Sequence, residues 1–200
     1  MRLTEIKREL KKLDKNRLID FFSELYKSHK SVKEYLDFYF NPDEKELFEK
    51  YKNRVIEAFY PKRGFGLKLN EGRKAISDFK KSGVSSKYLA DLMLCYVESG
   101  VEFTNDYGDI DEKFYVSIEK MYVQALTLMR KENLLDEFIE RTRKVANDTS
   151  EIGWGFHDYM IAAYIDFYPD DLEEVNDENN QSQKDKHKDK EAKIIRLKNI

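Results

Sequence analysis

The sequence predicts an all-α fold: an irregular stack of antiparallel helical hairpins, about nine helices in an α-superhelix-like array, ended by a disordered charged tail. Three observations predict it. The 200 residues hold only 8 Gly and 3 Pro, too few for the turn every 8–12 residues or so that a β-sandwich needs. Apolar residues recur at steps of three and four along most of the chain. Hydrophobic residues make up 40% of the composition, with 13 Phe and 13 Tyr, and every aromatic residue precedes Pro169, so the apolar material for a core is concentrated there.

The elements follow in order. Leu3, Ile6, Leu10 and Leu13 form the first stripe. Asp14 is placed to cap the next helix, with Leu18, Phe21, Phe22 and Leu25. Ser31 and Glu34 have capping-box spacing ahead of Val32, Tyr35, Leu36 and Tyr39. Asn41-Pro42-Asp43-Glu44 reads as a further start, with Pro at the first helical position, and leads to Leu47, Tyr51, Val55 and Phe59. Tyr60 to Gly66 is a loop by its Pro and Gly content. A helix from about Asn70 to Lys81 stops at Gly83, and Ser85 or Ser86 caps the next, which is expected to stop at Gly100. Gly100 to Ile110 then reads as a second loop, and Asp111 caps a long helix through Met129. A break near Asn133 precedes Leu134 to Val145, and Asp148 to Gly153 is the third loop. The last helix carries Phe156, Tyr159, Met160, Ala163, Tyr164 and Phe167, and Pro169 closes it. Residues 170–200 lack aromatics and Gly and cannot offset their ordering entropy, so they are expected to be a disordered tail with a short helix near Lys190–Leu197.

The expected organisation is one helical domain over 1–169. Its basic N-terminal helices occupy 1–59 and its acidic helical-hairpin region 69–169. The net charge of −3 hides this asymmetry: residues 1–68 carry +5, 69–169 carry −6 and the tail −2. The balance does not favour a bulk nucleic-acid binder. No apolar run approaches the length of a membrane span, and the charged MRLTEIKREL start lacks a signal core. The single cysteine, Cys95, lies in an apolar stretch and reads as a small buried hydrophobe, with a catalytic thiol as the alternative. These features predict a cytoplasmic protein.

Three stretches carry a resemblance: Phe59-Tyr60-Pro61-Lys62-Arg63-Gly64-Phe65-Gly66, Gly100-Val101-Glu102-Phe103-Thr104-Asn105-Asp106-Tyr107-Gly108-Asp109-Ile110-Asp111, and Asp148 through Ile152-Gly153-Trp154-Gly155-Phe156-His157-Asp158. Together with the opening helix pair they resemble a bacterial family of uncharacterised proteins over roughly residues 1–168. The resemblance implies a bacterial, all-helical protein and brings no activity. Six of the eight glycines fall in these stretches.

Several candidate sites follow from the residues themselves. Lys62 and Arg63 beside Gly64 and Gly66 can hold a phosphate, because glycine lets backbone N–H groups approach and Arg binds bidentately; a helix-ending turn with solvated cations is the simpler reading. Glu102, Asp106, Asp109, Asp111 and Glu112 can bind a hard cation, but the calcium-loop template fails, since Gly108 at its sixth position puts Phe103 where an Asp must stand. An exposed acidic turn that caps the next helix through Asp111 is the simpler reading, and a pairing with Lys62 and Arg63 is a smaller alternative. Trp154, His157 and Ile161 fall on one helical face, His157 being a candidate base or a hydrogen-bonded structural residue, with Asp158 beside it. No second His or Cys stands at ligand spacing, so no metal and no cofactor is expected. The helix pair Leu3–Lys27 resembles two-helix DNA-binding modules only loosely, lacking their glycine and interleaving acids with its cations.

The leading expectation is a non-enzymatic protein-interaction module with a protein as partner. Nucleic-acid or phosphate binding through the basic N-terminal helices and Lys62/Arg63 is the second. An enzyme or small-ligand protein with its site where the three loops meet is the third, and it requires Arg63, Asp106 and His157 to approach one another.

Overall fold

The computed structural model describes residues 1–63 and 66–171. Among them are nine helices and no strand: α1 Leu3–Leu10, α2 Lys15–Ser28, α3 Lys30–Phe40, α4 Glu44–Phe59, α5 Leu69–Lys81, α6 Ser86–Tyr107, α7 Glu112–Lys131, α8 Leu135–Asn147 and α9 Phe156–Phe167. A 3-10 turn, Pro169–Asp171, follows. Gly64 and the segment 172–200, with the short helix expected near Lys190–Leu197, lie outside the described residues.

Short polar side chains start several of these helices. The carboxylates of Asp14, Asp43 and Asp111 each accept a backbone N–H three residues on, from Arg17, Glu46 and Phe114. Each bond satisfies one donor that a helix start leaves orphaned. Asp43 rather than Asn41 caps α4, so Pro42 stands outside the helix and not at its first position. The expected capping box at Ser31 does not form either. Helix α3 already begins at Lys30 after His29, and Glu34 is drawn away by Lys50 and Tyr51. Helix α1 ends at Leu10, short of Leu13.

Helix α6 is the spine. Leu89, Ala90 and every residue from Leu92 to Val97 are buried, so it is covered on nearly all sides. Helix α4 packs on α5 and α6, α6 on α7, and α8 on α9. Side-chain pairs set the directions. Phe48 and Tyr51 meet Phe79, while Ala58 lies under Gly72, so α4 and α5 are antiparallel. Phe103 meets Phe114 and Tyr96 meets Ser117 across α6 and α7, and Arg143 meets Tyr164 while Thr149 meets His157 across α8 and α9, so these pairs are antiparallel as well. Phe48 against Tyr88 and Tyr60 against Asp106 run α4 alongside α6, and Arg141 against Asp91 and Glu98 runs α8 alongside it. The body is therefore two layers of helical hairpins, α4/α6/α8 over α5/α7/α9, with the core between them.

The main departure from expectation lies at Gly100. It does not stop α6, which continues to Tyr107 and ends at Gly108 with φ +85°. Gly100 is instead a packing residue. A Cβ there would lie 2.3 Å from Ile118 Cδ1, so the missing side chain is what lets α7 close on α6. Most of the expected second loop is thus helix, and only Gly108 to Asp111 links the two elements.

The far end also differs by two residues. Asp170 and Asp171, expected in the tail, belong to the folded body. Asp171 accepts from Arg143 at 2.8 and 3.0 Å and from the Tyr164 hydroxyl.

Helices α1 to α3 form an arm with no buried residue. Every buried hydrophobic residue lies at or beyond Phe48. Among the described residues side chains tie the arm to the body: Glu34 reaches Lys50 at 2.9 Å and Tyr51 at 3.0 Å, and Tyr35 lies against Gly83.

Candidate functional site

The up-and-down topology puts the C-terminal ends of α4, α6 and α8 and the N-terminal ends of α5, α7 and α9 at one end of the body. The three recognised stretches all lie there. Tyr60 joins the first to the second: its hydroxyl donates to Asp106 at 3.1 Å and its ring packs on Phe103 and Tyr107. Asn105 joins the second to the third, donating to the Asp148 carbonyl at 3.0 Å. Tyr115 donates to Asp109 at 2.9 Å and packs its ring on Phe156, whose centroid is 4.8 Å away. Burial, then the Asp106 carboxylate, pushes the Tyr60 phenol well above its ordinary value, and burial raises the Tyr115 phenol. Both phenols therefore stay protonated donors.

This junction is a latch. Asp106 serves Tyr60, Asp109 serves Tyr115, Asp111 caps α7, and His157 Nδ1 shares a 2.9 Å hydrogen bond with the Thr149 hydroxyl. Asp106 and His157 each serve a different neighbour, and Arg63 lines a cleft with Arg54, Lys68 and Lys74. Lys62, in the loop after α4, pairs with Glu57 on the last turn of that helix rather than with the acids of the second stretch. Glu102 and Asp158 are exposed on α6 and α9. Among the described residues no three His, Cys, Asp or Glu side chains are grouped to hold a metal ion. Cys95 is buried, and burial pushes its thiol up to about 11, away from the thiolate that nucleophilic chemistry needs.

Trp154 departs from the expected face. It precedes α9, stands 67% exposed, and has φ +63°, next to Gly155 at φ +70°. A bulky residue in the left-handed region carries strain of about 1–2 kcal/mol. His157 sits inside α9 and turns toward the end of α8, so the two do not share a helical stripe.

Three of the larger recesses stand out among the described residues. Beside the first stretch, Arg54, Lys62, Arg63, Lys68 and Lys74 surround a cleft of about 670 Å³ with Glu57 and Glu71. Gly66 borders that stretch with φ +96°. On the arm, Leu18, Ile19, Phe22, Tyr35, Leu36 and Phe40 line an open apolar hollow of about 1130 Å³.

The third recess was not foreseen. Helices α5 and α7 both pack on α6 but stand apart from each other along most of their length, leaving a groove of about 1050 Å³. Arg73 spans it near the latch end by donating to the Ser117 hydroxyl, which also meets Tyr96 at 2.9 Å. Its walls carry Arg73, Lys80, Lys113, Lys120 and Lys131 against one carboxylate, Glu112. The sequence does hold a trace of it, because Lys113, Val116, Lys120, Gln124, Thr127 and Lys131 recur at helical steps. The net acidity of 69–169 masks that trace.

Fold and recesses together define a class: an all-helical protein of stacked hairpins whose exposed apolar and basic surfaces are concave. The chain belongs to the Family of unknown function (DUF6155), whose model matches residues 1–168. No curated protein matches the chain. No solved structure matches it. Among the described residues no helix is long and apolar enough to cross a membrane.

Proposed function

We propose that the chain is a protein-interaction module in which α1 to α3 present the contact surface. The observation that carries this reading is the arm's uncovered aromatic face. Phe21 and Phe22 on α2 are 42% and 48% exposed, and Tyr39 and Phe40 on α3 are 66% and 79% exposed. Helices of this length are marginal in water without tertiary burial. A partner that covers the face supplies that burial, at about 25 cal/mol for each Å² removed from water. Aromatic side chains are also the residues that anchor interfaces. Bacterial origin, drawn from the family resemblance, and residence in the cytoplasm, drawn from the lone cysteine, belong to the same proposal.

The test is site-specific photo-crosslinking in living cells. A photoreactive amino acid in place of Tyr39 is expected to give a discrete protein adduct, and the same group in place of Tyr159, exposed on α9, is not. Adducts of equal yield at both positions, or none at Tyr39, would sink the reading.

The cleft at Arg54, Lys62, Arg63, Lys68 and Lys74 supports a second reading, binding of a phosphate-bearing ligand or nucleic acid. That reading expects retention on a heparin column, falling steeply with salt and reduced by Arg63→Ala with Lys68→Ala. Elution of both forms at the same low salt would remove it.

A further inference from the structure

We propose that the groove between α5 and α7 receives an acidic amphipathic helix of a partner protein. Its floor is apolar. Ile76 of α5, Leu89 and Met93 of α6, and Met121 of α7 each reach the recess while keeping a few per cent of their surface open. Unbranched methionine side chains repack against differently shaped apolar partners, so Met93 and Met121 suit a ligand that arrives from outside. The rim is basic. Lys80 on one wall and Lys113 and Lys120 on the other make no ion pair among the described residues. An apolar floor with uncommitted cations on both walls, one on α5 and two on α7, matches one occupant: a helix with leucine-type residues on one face and carboxylates along both flanks.

Shape favours a helix over a compact ligand. The groove follows α7 from Lys113 to Lys131, about five turns or roughly 27 Å at 1.5 Å per residue. Among the described residues the lining contains no aromatic side chain on which a base would stack, which counts against single-stranded nucleic acid. The arm of a second copy is a poor fit, since residues 1–40 are themselves net basic, with 10 Lys/Arg to 7 Asp/Glu. Within the chain, the acidic stretch 172–178 offers only Leu172 and Val175 for the floor.

The inference shares with the arm reading only the class of partner, and the two surfaces can fail separately. The experiment is fluorescence anisotropy on the full chain with a labelled synthetic peptide of about five helical turns, leucines at three- and four-residue steps and glutamates on both flanks. Binding is expected to weaken about tenfold or more with Lys113→Glu plus Lys120→Glu, a charge reversal on two exposed residues, and to weaken as salt rises. A scrambled peptide of the same composition, and one with lysines in place of the glutamates, are expected to bind at least about tenfold less tightly. Phe22→Ser in the arm is expected to leave binding unchanged. Hydrogen exchange, which needs no variant, is expected to gain protection over α5 and α7.

Four results overturn the proposal. One is equal affinity of the charge-reversed and parent chains. A second is protection, or loss of binding with Phe22→Ser, that maps to α2 and α3. A third is an acidic oligonucleotide that outcompetes the peptide at the same residues. The last is a rise in affinity with Glu173→Lys plus Glu174→Lys in the full chain, which assigns the groove to the chain's own acidic segment.

Discussion

The arm and the body are built from the same kinds of residue and are held in different ways. Helix α2 has Phe21 and Phe22 edge to face at 6.1 Å, and α4 ends in Phe59, edge to face with Tyr96 at 4.9 Å. Phe59 is 1% exposed and also meets Phe114, so three helices close on it. Phe22 is 48% exposed and has only its own hairpin around it. Aromatic content therefore does not make a core. A third element must arrive to cover the pair, and in the arm none of the described residues does.

The largest expected effect tests that contrast with one substitution made twice. Phe59→Ala should cost about 3–5 kcal/mol, since it removes a buried ring and leaves a cavity among Tyr96, Phe114 and Gly100. Phe22→Ala should change stability by no more than about 0.5 kcal/mol, as exposed positions do. Urea denaturation of both variants checks it. A loss of several kcal/mol from Phe22→Ala would mean that the arm is covered in solution by something the isolated chain supplies, a second copy included.

The next effect concerns how the body closes. Gly100→Leu should destabilise by about 1–3 kcal/mol or more, because the side chain has to displace Ile118 from the α6/α7 interface. At a helix stop the cost of leucine would come from the left-handed backbone alone, about 1 kcal/mol, so a loss above about 2 kcal/mol in thermal melting marks the packing role. This glycine also marks the limit of the sequence. Asp14, Asp43 and Asp111 were legible as helix starts because capping is a local bond to the third residue on. Gly100 was misread because a close helix crossing and a helix stop use the same residue for different reasons. Only the partner helix, with Ile118 facing it, tells them apart. The candidate site divides in the same way. The convergence of the three stretches follows from up-and-down topology once the hairpins are recognised. The basic groove does not, because its cations come from two helices separated in sequence and lie in the net-acidic region 69–169.

A smaller effect tests where the body ends. Asp171 and Arg143 are nearly buried, with side-chain exposures of 12% and 10%, and the carboxylate also accepts from Tyr164. Asp171→Ala should cost about 1.5–3 kcal/mol, the range for hydrogen bonds to charged groups. Asp170→Ala, one residue earlier and exposed, should cost less than about 0.5 kcal/mol. Equal effects from the two would place the end of the body before the 3-10 turn.

The smallest effect lies at the join between arm and body. Glu34 accepts from Lys50 and Tyr51. Burial opposes its ionisation, but the bonds from Lys50 and Tyr51 outweigh burial and hold the carboxyl below its ordinary value. Burial, and then Glu34 itself, pushes the Tyr51 phenol up to about 12. A carboxyl depressed in the joined state stabilises the join above its free value of 4.5, and that contribution is lost as pH falls through the lower, joined-state value. Lys50 is half exposed, so the pair is worth about 0.2–1 kcal/mol and its loss will not register in global unfolding. It will register locally. Glu34→Gln should speed amide exchange in α2 and α3 by a few-fold near neutral pH and leave α6 unchanged. Toward pH 3 the parent chain should approach the variant's arm exchange, after correction for the intrinsic pH dependence. If Glu34→Gln instead loosens α6 and the arm alike, the arm is part of the body's cooperative unit, and the contrast between the two regions is one of exposure alone.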